Sequence, residues 1–161
     1  MQLDYVPTHR GPVSYIDKSR EYYLHKGYGN PYRWASHREI PFTPLLKPLS
    51  QSRIGLFTTT ALNEADGVKR PHFAASAAPA MLYTDHLSWH KTATHTDDPE
   101  TFLPMERIRE AVADGRIGSL SPRFYGVPTR YSQRRTNTED APALLSYLQE
   151  DGVDVALLVP M

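Results

Sequence analysis

Gly152-Val-Asp-Val-Ala-Leu-Leu-Val-Pro-Met161, the last stretch of the chain, decides the fold. A glycine-marked turn leads into a continuous apolar run, which is the pattern of a strand buried on both faces of a parallel sheet. Strands of this kind lie in the middle of α/β domains. The sequence therefore predicts an α/β domain whose last strand lies inside the sheet.

A second strand and two helices extend this prediction. Arg53-Ile-Gly-Leu-Phe-Thr-Thr-Thr60 is rich in β-branched and aromatic residues, and we expect it to be the parallel partner of the last strand. One helix is predicted to begin at Pro104 and end before Gly115, and another to begin at Thr138 and end before Gly152. The order strand, helix, helix, strand predicts a three-layer sandwich with a mainly parallel sheet and right-handed crossovers.

Two smaller elements are also predicted. A helix over residues 15–26 would be capped by Ser14 or Asp17 and ended by Gly27. Residues 81–84 have the composition of a short strand.

The first 50 residues form a tyrosine- and proline-rich N-terminal arm. Large aromatic rings need a surface to cover, so we expect the arm, residues 1–50, to pack on the domain or on a partner subunit. Residues 51–161 then form the α/β domain, and the chain is a single domain overall.

Charge and composition exclude several classes of protein. Eighteen basic and eighteen acidic side chains leave no net charge, so no overall field attracts nucleic acid or an anionic membrane. The chain has no cysteine, which removes disulfides and thiolate chemistry from it. It shows no signal peptide, and no apolar run approaches the ~20 residues of a membrane span. These features predict a cytoplasmic protein that binds neither nucleic acid nor membrane.

Several short stretches occur in an order that a known family shares. They are Pro41-Phe-Thr-Pro-Leu-Leu-Lys-Pro-Leu-Ser50, Arg53-Ile-Gly-Leu-Phe-Thr-Thr59, Phe102-Leu-Pro-Met-Glu-Arg-Ile-Arg109, Asp114-Gly-Arg-Ile-Gly-Ser-Leu120 and Glu150-Asp-Gly-Val-Asp-Val-Ala-Leu-Leu-Val-Pro160. Together they resemble the selenoprotein B family of glycine, sarcosine, betaine and D-proline reductases. The resemblance implies an oxidoreductase that reductively cleaves an amino acid or a related small carboxylate at its α-carbon.

The resemblance also implies a selenocysteine or cysteine just after the strand that matches residues 153–160. The sequence holds no such residue. We therefore expect the coding sequence to continue in frame past Met161, at or near a UGA or cysteine codon, or a redox partner subunit to supply the residue. Otherwise the chain is a fragment, or a member that has lost its redox residue. No cofactor is expected within the chain itself.

The expected partners follow from the same resemblance. They are a small carboxylate-bearing molecule and either further copies of the chain, in a homo-oligomer, or a redox partner subunit. A non-catalytic scaffold or partner subunit is the alternative function, because the chain lacks a soft nucleophile.

The most polar stretch is Asp85-His-Leu-Ser-Trp-His-Lys-Thr-Ala-Thr-His-Thr-Asp-Asp98. Its histidines, His86, His90 and His95, are candidate metal ligands, which would favour a metal-dependent hydrolase or lyase. A substrate or partner loop and a hydrogen-bonded loop without chemistry are the alternatives. His95 and Asp97 match a polar segment of the resembled family, which favours substrate binding and makes a metal the weaker interpretation.

A second polar stretch is Ser121-Pro-Arg-Phe-Tyr-Gly-Val-Pro-Thr-Arg-Tyr-Ser-Gln-Arg-Arg135. Arginine forks clamp carboxylates through paired hydrogen bonds, and Arg123 is the candidate because it is expected near a strand end. The alternative is a solvated loop whose arginines pair with Glu139 and Asp140. Thr58 and Thr59, at the end of the first strand, complete the predicted substrate site, unless they are ordinary strand threonines.

Overall fold

The computed structural model describes residues 14–29, 38–40, 43–61, 79–84, 87, 90, 92–127 and 132–161. It divides into two compact units, Met1–Pro41 and Phe42–Met161. The predicted end of the arm at residue 50 lies beyond this division, and the short 3-10 turn Leu49–Gln51 belongs to the second unit.

The first unit contains α1 (Tyr15–His25), which confirms the predicted first helix. Ser14 caps it by accepting a hydrogen bond from the backbone N–H of Asp17 at 3.2 Å. Gly27 ends it with a φ of +86°, a conformation that glycine adopts without a steric cost. The surface that the aromatic arm covers stays a prediction.

The second unit is built on a four-stranded sheet. Its strands are β1 (Arg53–Thr58), β2 (Ser119–Leu120), β3 (Tyr125–Gly126) and β4 (Val155–Val159). Every pairing between them is parallel. β1 is central, because β4 pairs along one side of it while β2 and then β3 pair with it as well. An open parallel sheet accompanied by helices confirms the predicted α/β class.

β2 and β3 lie on the same side of β1. Hydrogen bonds from these two strands and their flanks reach three even-numbered carbonyls, those of Ser52, Ile54 and Thr58. Successive carbonyls of a strand point in opposite directions, so the odd-numbered residues of β1 bond to β4. β2 and β3 are therefore two pieces of one interrupted strand.

The two longer helices of this unit, α2 (Met105–Ala113) and α4 (Ala141–Glu150), pack against opposite faces of β1. Leu56 lies in a buried cluster with Phe102 and with Met105, the first residue of α2. Phe57, one residue further along β1, packs instead against Leu144 of α4. Because neighbouring side chains of a strand point to opposite faces, the two clusters lie on the two sides of the sheet.

β4 lies at the edge of the described sheet, so the prediction that it lies inside was wrong for this part of the chain. Among the described residues, no strand pairs with its outer side. Leu157 is 39% exposed and Leu158 is 65% exposed. A continuous apolar run shows that a strand lacks a polar face, but it does not say which strand lies beside it. The predicted parallel pairing with β1 is confirmed.

Two local details of the sheet and its last helix differ from the sequence prediction. β2 and β3, with two residues each, were not predicted. The helix expected from Thr138 begins at Ala141, after a π-helical segment Thr136–Asp140 that continues the short helix α3 (Gln133–Arg135). Pro142 explains the wider turn, since its ring lacks an N–H and collides with the carbonyl four residues earlier in a regular helix.

The predicted strand over residues 81–84 is reduced to one antiparallel bridge between Ala61 and Tyr83. Within the described ranges, no helix has the length and apolar character needed to cross a membrane.

Candidate functional site

A group of threonines lies at the carboxyl end of β1. Thr58 and Thr60 are buried, and their hydroxyl oxygens lie 2.9 Å apart. The backbone N–H of Thr60 also donates to the Thr58 hydroxyl at 3.3 Å. Thr59 points the other way and accepts a hydrogen bond from the N–H of Met161 at 3.0 Å. The ends of β1 and β4 are thereby joined at one edge of the sheet.

A second polar segment is attached to this edge by hydrogen bonds. Beyond Thr60, Ala61 and Tyr83 exchange two backbone hydrogen bonds, of 3.1 and 2.8 Å. The next residue, Thr84, is buried and shares a hydrogen bond of 2.9 Å with the hydroxyl of Thr96. Residues 79–84 and 92–99 are therefore held next to the carboxyl end of β1.

These two segments line an open cavity of about 460 Å³. It is lined by Ala80, Met81, Leu82, Tyr83, Thr84, Thr96, Asp97 and Pro99. A volume of this size suits a small ligand, and the lining combines apolar side chains with polar groups that are able to fix a ligand's orientation. Asp97 carries the only charge among these lining residues. We call this cavity and the threonines at the end of β1 the carboxyl-edge site.

His95 and Asp97 lie at the outer rim of the carboxyl-edge site. The Asp97 carboxylate lies 3.5 Å from the Nδ1 atom of His95, and both side chains are largely exposed. The sequence prediction named Thr58, Thr59, His95 and Asp97 as substrate-binding residues, and the structure places all four near this edge. Whether they bind a substrate stays a prediction.

Arg123 is the fifth residue predicted to bind substrate. It lies between β2 and β3, where its guanidinium forms an ion pair with the Asp151 carboxylate. Its Nε and Nη2 atoms lie 2.5 and 2.7 Å from the two carboxylate oxygens of Asp151, and Nη2 also donates to Glu150 at 3.0 Å. The guanidinium lies 4.9 Å from the ring centre of Tyr147. In the described part of the chain, neither Thr58 nor His95 is a hydrogen-bond partner of Arg123. A ligand carboxylate bound by Arg123 would have to compete with Asp151.

Tyr125 and Ser121 complete a buried polar network around Asp151. The hydroxyl of Tyr125 donates to the carboxylate of Asp151 at 2.5 Å, and the Ser121 hydroxyl lies 2.9 Å from that of Tyr125. The Asp151 side chain is only 6% exposed and that of Arg123 12%. We call these four residues the Asp151 network. It ties the turn before β4 to the junction of β2 and β3.

The Asp151 network shifts the pKa of each acidic group in it. Burial raises the pKa of Tyr125 to about 12, and the hydrogen bond to Asp151 adds to this effect. Burial alone would raise the pKa of Asp151, but hydrogen bonds from Arg123 and Tyr125 outweigh it, so this pKa lies below its ordinary value. The Asp151 side chain is therefore a carboxylate at neutral pH.

No family model, curated protein or solved structure matches this chain. The resemblance of several short stretches to the selenoprotein B reductases stays a prediction.

The histidines predicted as metal ligands have other neighbours where they are described. The Nδ1 atom of His90 accepts a hydrogen bond from the N–H of Ala93 at 3.0 Å, and His95 lies beside Asp97. His86 lies outside the described residues. Within the described ranges, no three histidine or carboxylate side chains are placed to hold a metal ion.

Sequence reasoning missed Asp151 and Tyr125. Asp151 precedes Gly152, for which the sequence predicts the end of a helix, and the sequence predicts no role for Asp151 in a site. The one available signal is an acidic residue next to a strand that the sequence predicts to be buried, because a buried carboxylate needs a partner. Its hydrogen-bonding partner Tyr125 is 26 residues earlier in the chain, a separation over which no sequence pattern specifies contact.

Proposed function

We propose that this chain is the substrate-binding α/β core of a selenol- or thiol-dependent reductase of the selenoprotein B type. The cavity beside the ends of β1 and β4 carries the proposal, because open α/β sheets bind their ligands beyond the carboxyl ends of their strands. Helices on opposite faces of β1 support a three-layer sandwich as the complete architecture.

The polarity of the carboxyl-edge site favours an amino acid or a betaine over a simple carboxylate. Asp97 attracts an ammonium or quaternary ammonium group and repels an anion. Thr84 and Thr96 line the same cavity, and because one of their hydroxyls donates to the other, one hydroxyl hydrogen is left to donate to a carboxylate. A small zwitterion satisfies both ends of the site, whereas acetate would gain the hydroxyl hydrogen bond but would be repelled by Asp97.

The redox step needs a group that the chain does not contain, since it has no cysteine. A selenol or thiol, supplied as the family resemblance implies, would perform the reductive cleavage at the α-carbon. The residues of this chain would bind and orient the substrate. The N–H of Met161 donates to the hydroxyl of Thr59, so the end of β4 lies at the carboxyl end of β1. A redox residue that follows β4 would therefore lie next to the proposed substrate site.

Calorimetric titration with glycine, sarcosine, betaine and D-proline tests the binding part of the proposal. We expect at least one of them to bind, and Asp97→Asn to weaken that binding about fivefold, because an exposed ion pair contributes up to ~1 kcal/mol. Asp114→Asn is the matched control, since Asp114 is also exposed and lies at the end of α2. Failure of all four ligands to bind, or equal effects of the two variants, would reject the site.

Turnover assays with a dithiol test the reductase part separately. We expect the 161-residue chain to bind its ligand without reducing it. Reduction should appear only when a selenocysteine- or cysteine-bearing extension or partner subunit is added. Binding without reduction under every one of these conditions would favour the non-catalytic scaffold.

A further inference from the structure

Within the described residues, the backbone groups on the outer side of β4 have no pairing partner. The backbone N–H and C=O groups of the odd-numbered residues of β1 point toward β4. In the parallel register, Leu56 lies beside Leu157. In such a register the odd-numbered residues of β4 bond to β1. The N–H of Met161, the next odd residue after the strand, points the same way and bonds to Thr59. The N–H and C=O groups of Ala156 and Leu158 therefore point away from the sheet.

The side chains along this edge are apolar and exposed on both faces of the sheet. Leu157 lies on the α2 face and Leu158 on the α4 face, since their register partners in β1 belong to those two clusters. Leu145 of α4 is 53% exposed. It lies about 200° around the helix from Tyr147. Tyr147 covers Arg123 on the β2 and β3 side, so Leu145 faces the β4 side.

β4 and the adjacent side of α4 carry no charge. β4 contains no charged residue. Ala141 and Gln149 flank Leu145 on its side of α4 and are uncharged as well. Asp154, just before the strand, is paired with Lys47 at 2.7 Å. A two-fold axis brings identical groups together, so a surface that binds its own copy must avoid like charges near the axis.

We propose that β4 forms the interface of a homodimer, in which two copies of the strand pair antiparallel about a two-fold axis at Leu157. This inference does not depend on the proposed reductase function. Ala156 of each copy would then lie opposite the partner copy's Leu158. The four outward N–H and C=O groups of each copy would all be used, in four hydrogen bonds between the two strands. The unpaired apolar edge, which is a template for strand pairing, would be covered on both faces.

The register of the proposed dimer is self-complementary in shape. Small Ala156 would lie opposite large Leu158 on the α4 face, and Leu157 would lie opposite its own copy on the α2 face. Leu157 would occupy a non-hydrogen-bonded position, where the two Cα atoms lie about 4.5 Å apart. That separation is within the range that a disulfide spans.

Cysteine cross-linking tests the register. The chain has no cysteine, so a single introduced cysteine links only to the same position of another copy. We expect Leu157→Cys to form a covalent dimer on mild oxidation at least about tenfold faster than Leu46→Cys. Leu46 is 94% exposed and lies outside the strand, which makes it the matched control. Equal rates for the two variants would overturn the proposal.

Charge exchange at the same position supplies a second test, read by sedimentation velocity. We expect the wild-type chain to be a dimer, Leu157→Lys and Leu157→Glu to be monomers, and an equimolar mixture of the two variants to form dimers again. Leu46→Lys should remain a dimer, and circular dichroism should show that every variant is folded. A monomeric wild type, a dimeric Leu157→Lys, or a mixture that stays monomeric would each overturn the pairing.

Discussion

At the scale of single residues, the Arg123–Asp151 pair is the strongest polar feature of the described chain. Two charges out of water are stabilised only when both find good partners, and here the guanidinium holds both carboxylate oxygens. Removing one partner leaves the other charge buried. Asp151→Asn should therefore lower the free energy of unfolding by about 3 kcal/mol, measured by urea denaturation. Asp114→Asn, which disturbs an exposed pair, should change it by less than about 0.5 kcal/mol.

The pH dependence of stability follows from the same carboxylate. The pKa of Asp151 is lower in the folded than in the unfolded chain, so its stabilisation is present above the unfolded value of about 3.9 and is lost as the pH falls through the folded value. We expect the stability difference between the wild type and Asp151→Asn to shrink on acidification below about pH 4. A difference that stayed constant over this range would contradict the ionised network.

Arg123→Lys separates the structural role of this arginine from the substrate-binding role predicted from the sequence. A lysine keeps the charge but loses the planar fork, so we expect stability to fall by roughly 1 to 2 kcal/mol. Binding of the zwitterion by the folded variant should be unchanged, because Arg123 lies in the Asp151 network. Weaker binding by the folded variant would instead support Arg123 as a ligand for the substrate carboxylate.

At the scale of elements, prediction succeeded where hydrophobic periodicity and the glycines and prolines at element ends specify the structure. β1 and the α2 helix follow from their own residues. Thr58 and Thr59 lie at the predicted end of β1, whereas Asp97 was predicted from the family resemblance. The edge position of β4 depends on which strand lies beside it, which its own apolar run does not encode. The Asp151 network joins residues from different elements, so no local pattern reveals it.

At Gly118 the chain passes close to the backbone of Gln51 and Ser52. A Cβ atom there would lie 2.7 Å from the carbonyl carbon of Gln51 and 2.8 Å from the backbone of Ser52, neither of which is able to move aside as a flexible side chain does. Gly118→Ala should therefore destabilise the chain by about 1 to 3 kcal/mol in thermal or urea unfolding. Gly29→Ala, where the added atom meets nothing within 4 Å, is the control and should be near neutral.

At the scale of the whole molecule, the two proposed surfaces lie at different borders of the sheet. The carboxyl-edge site lies beyond the strand ends, and the dimer surface runs along β4. Antiparallel pairing would point the two carboxyl edges in opposite directions, so each copy would bind its ligand alone. We expect one ligand per chain and no cooperativity in calorimetric titrations of the dimer. One ligand per two chains would show that the sites interact.

The central claim is that a small zwitterion binds at the carboxyl-edge site, and solution NMR with threonine-methyl labelling tests it most directly. The labels at Thr58, Thr59, Thr60, Thr84 and Thr96 report on the site, while Thr138, outside it, serves as the internal control. On titration with the tightest-binding of the four candidate ligands, we predict saturable shifts of the site methyls and an unmoved Thr138 signal. Shifts confined to other parts of the chain, or no shifts at saturating ligand, would contradict the account.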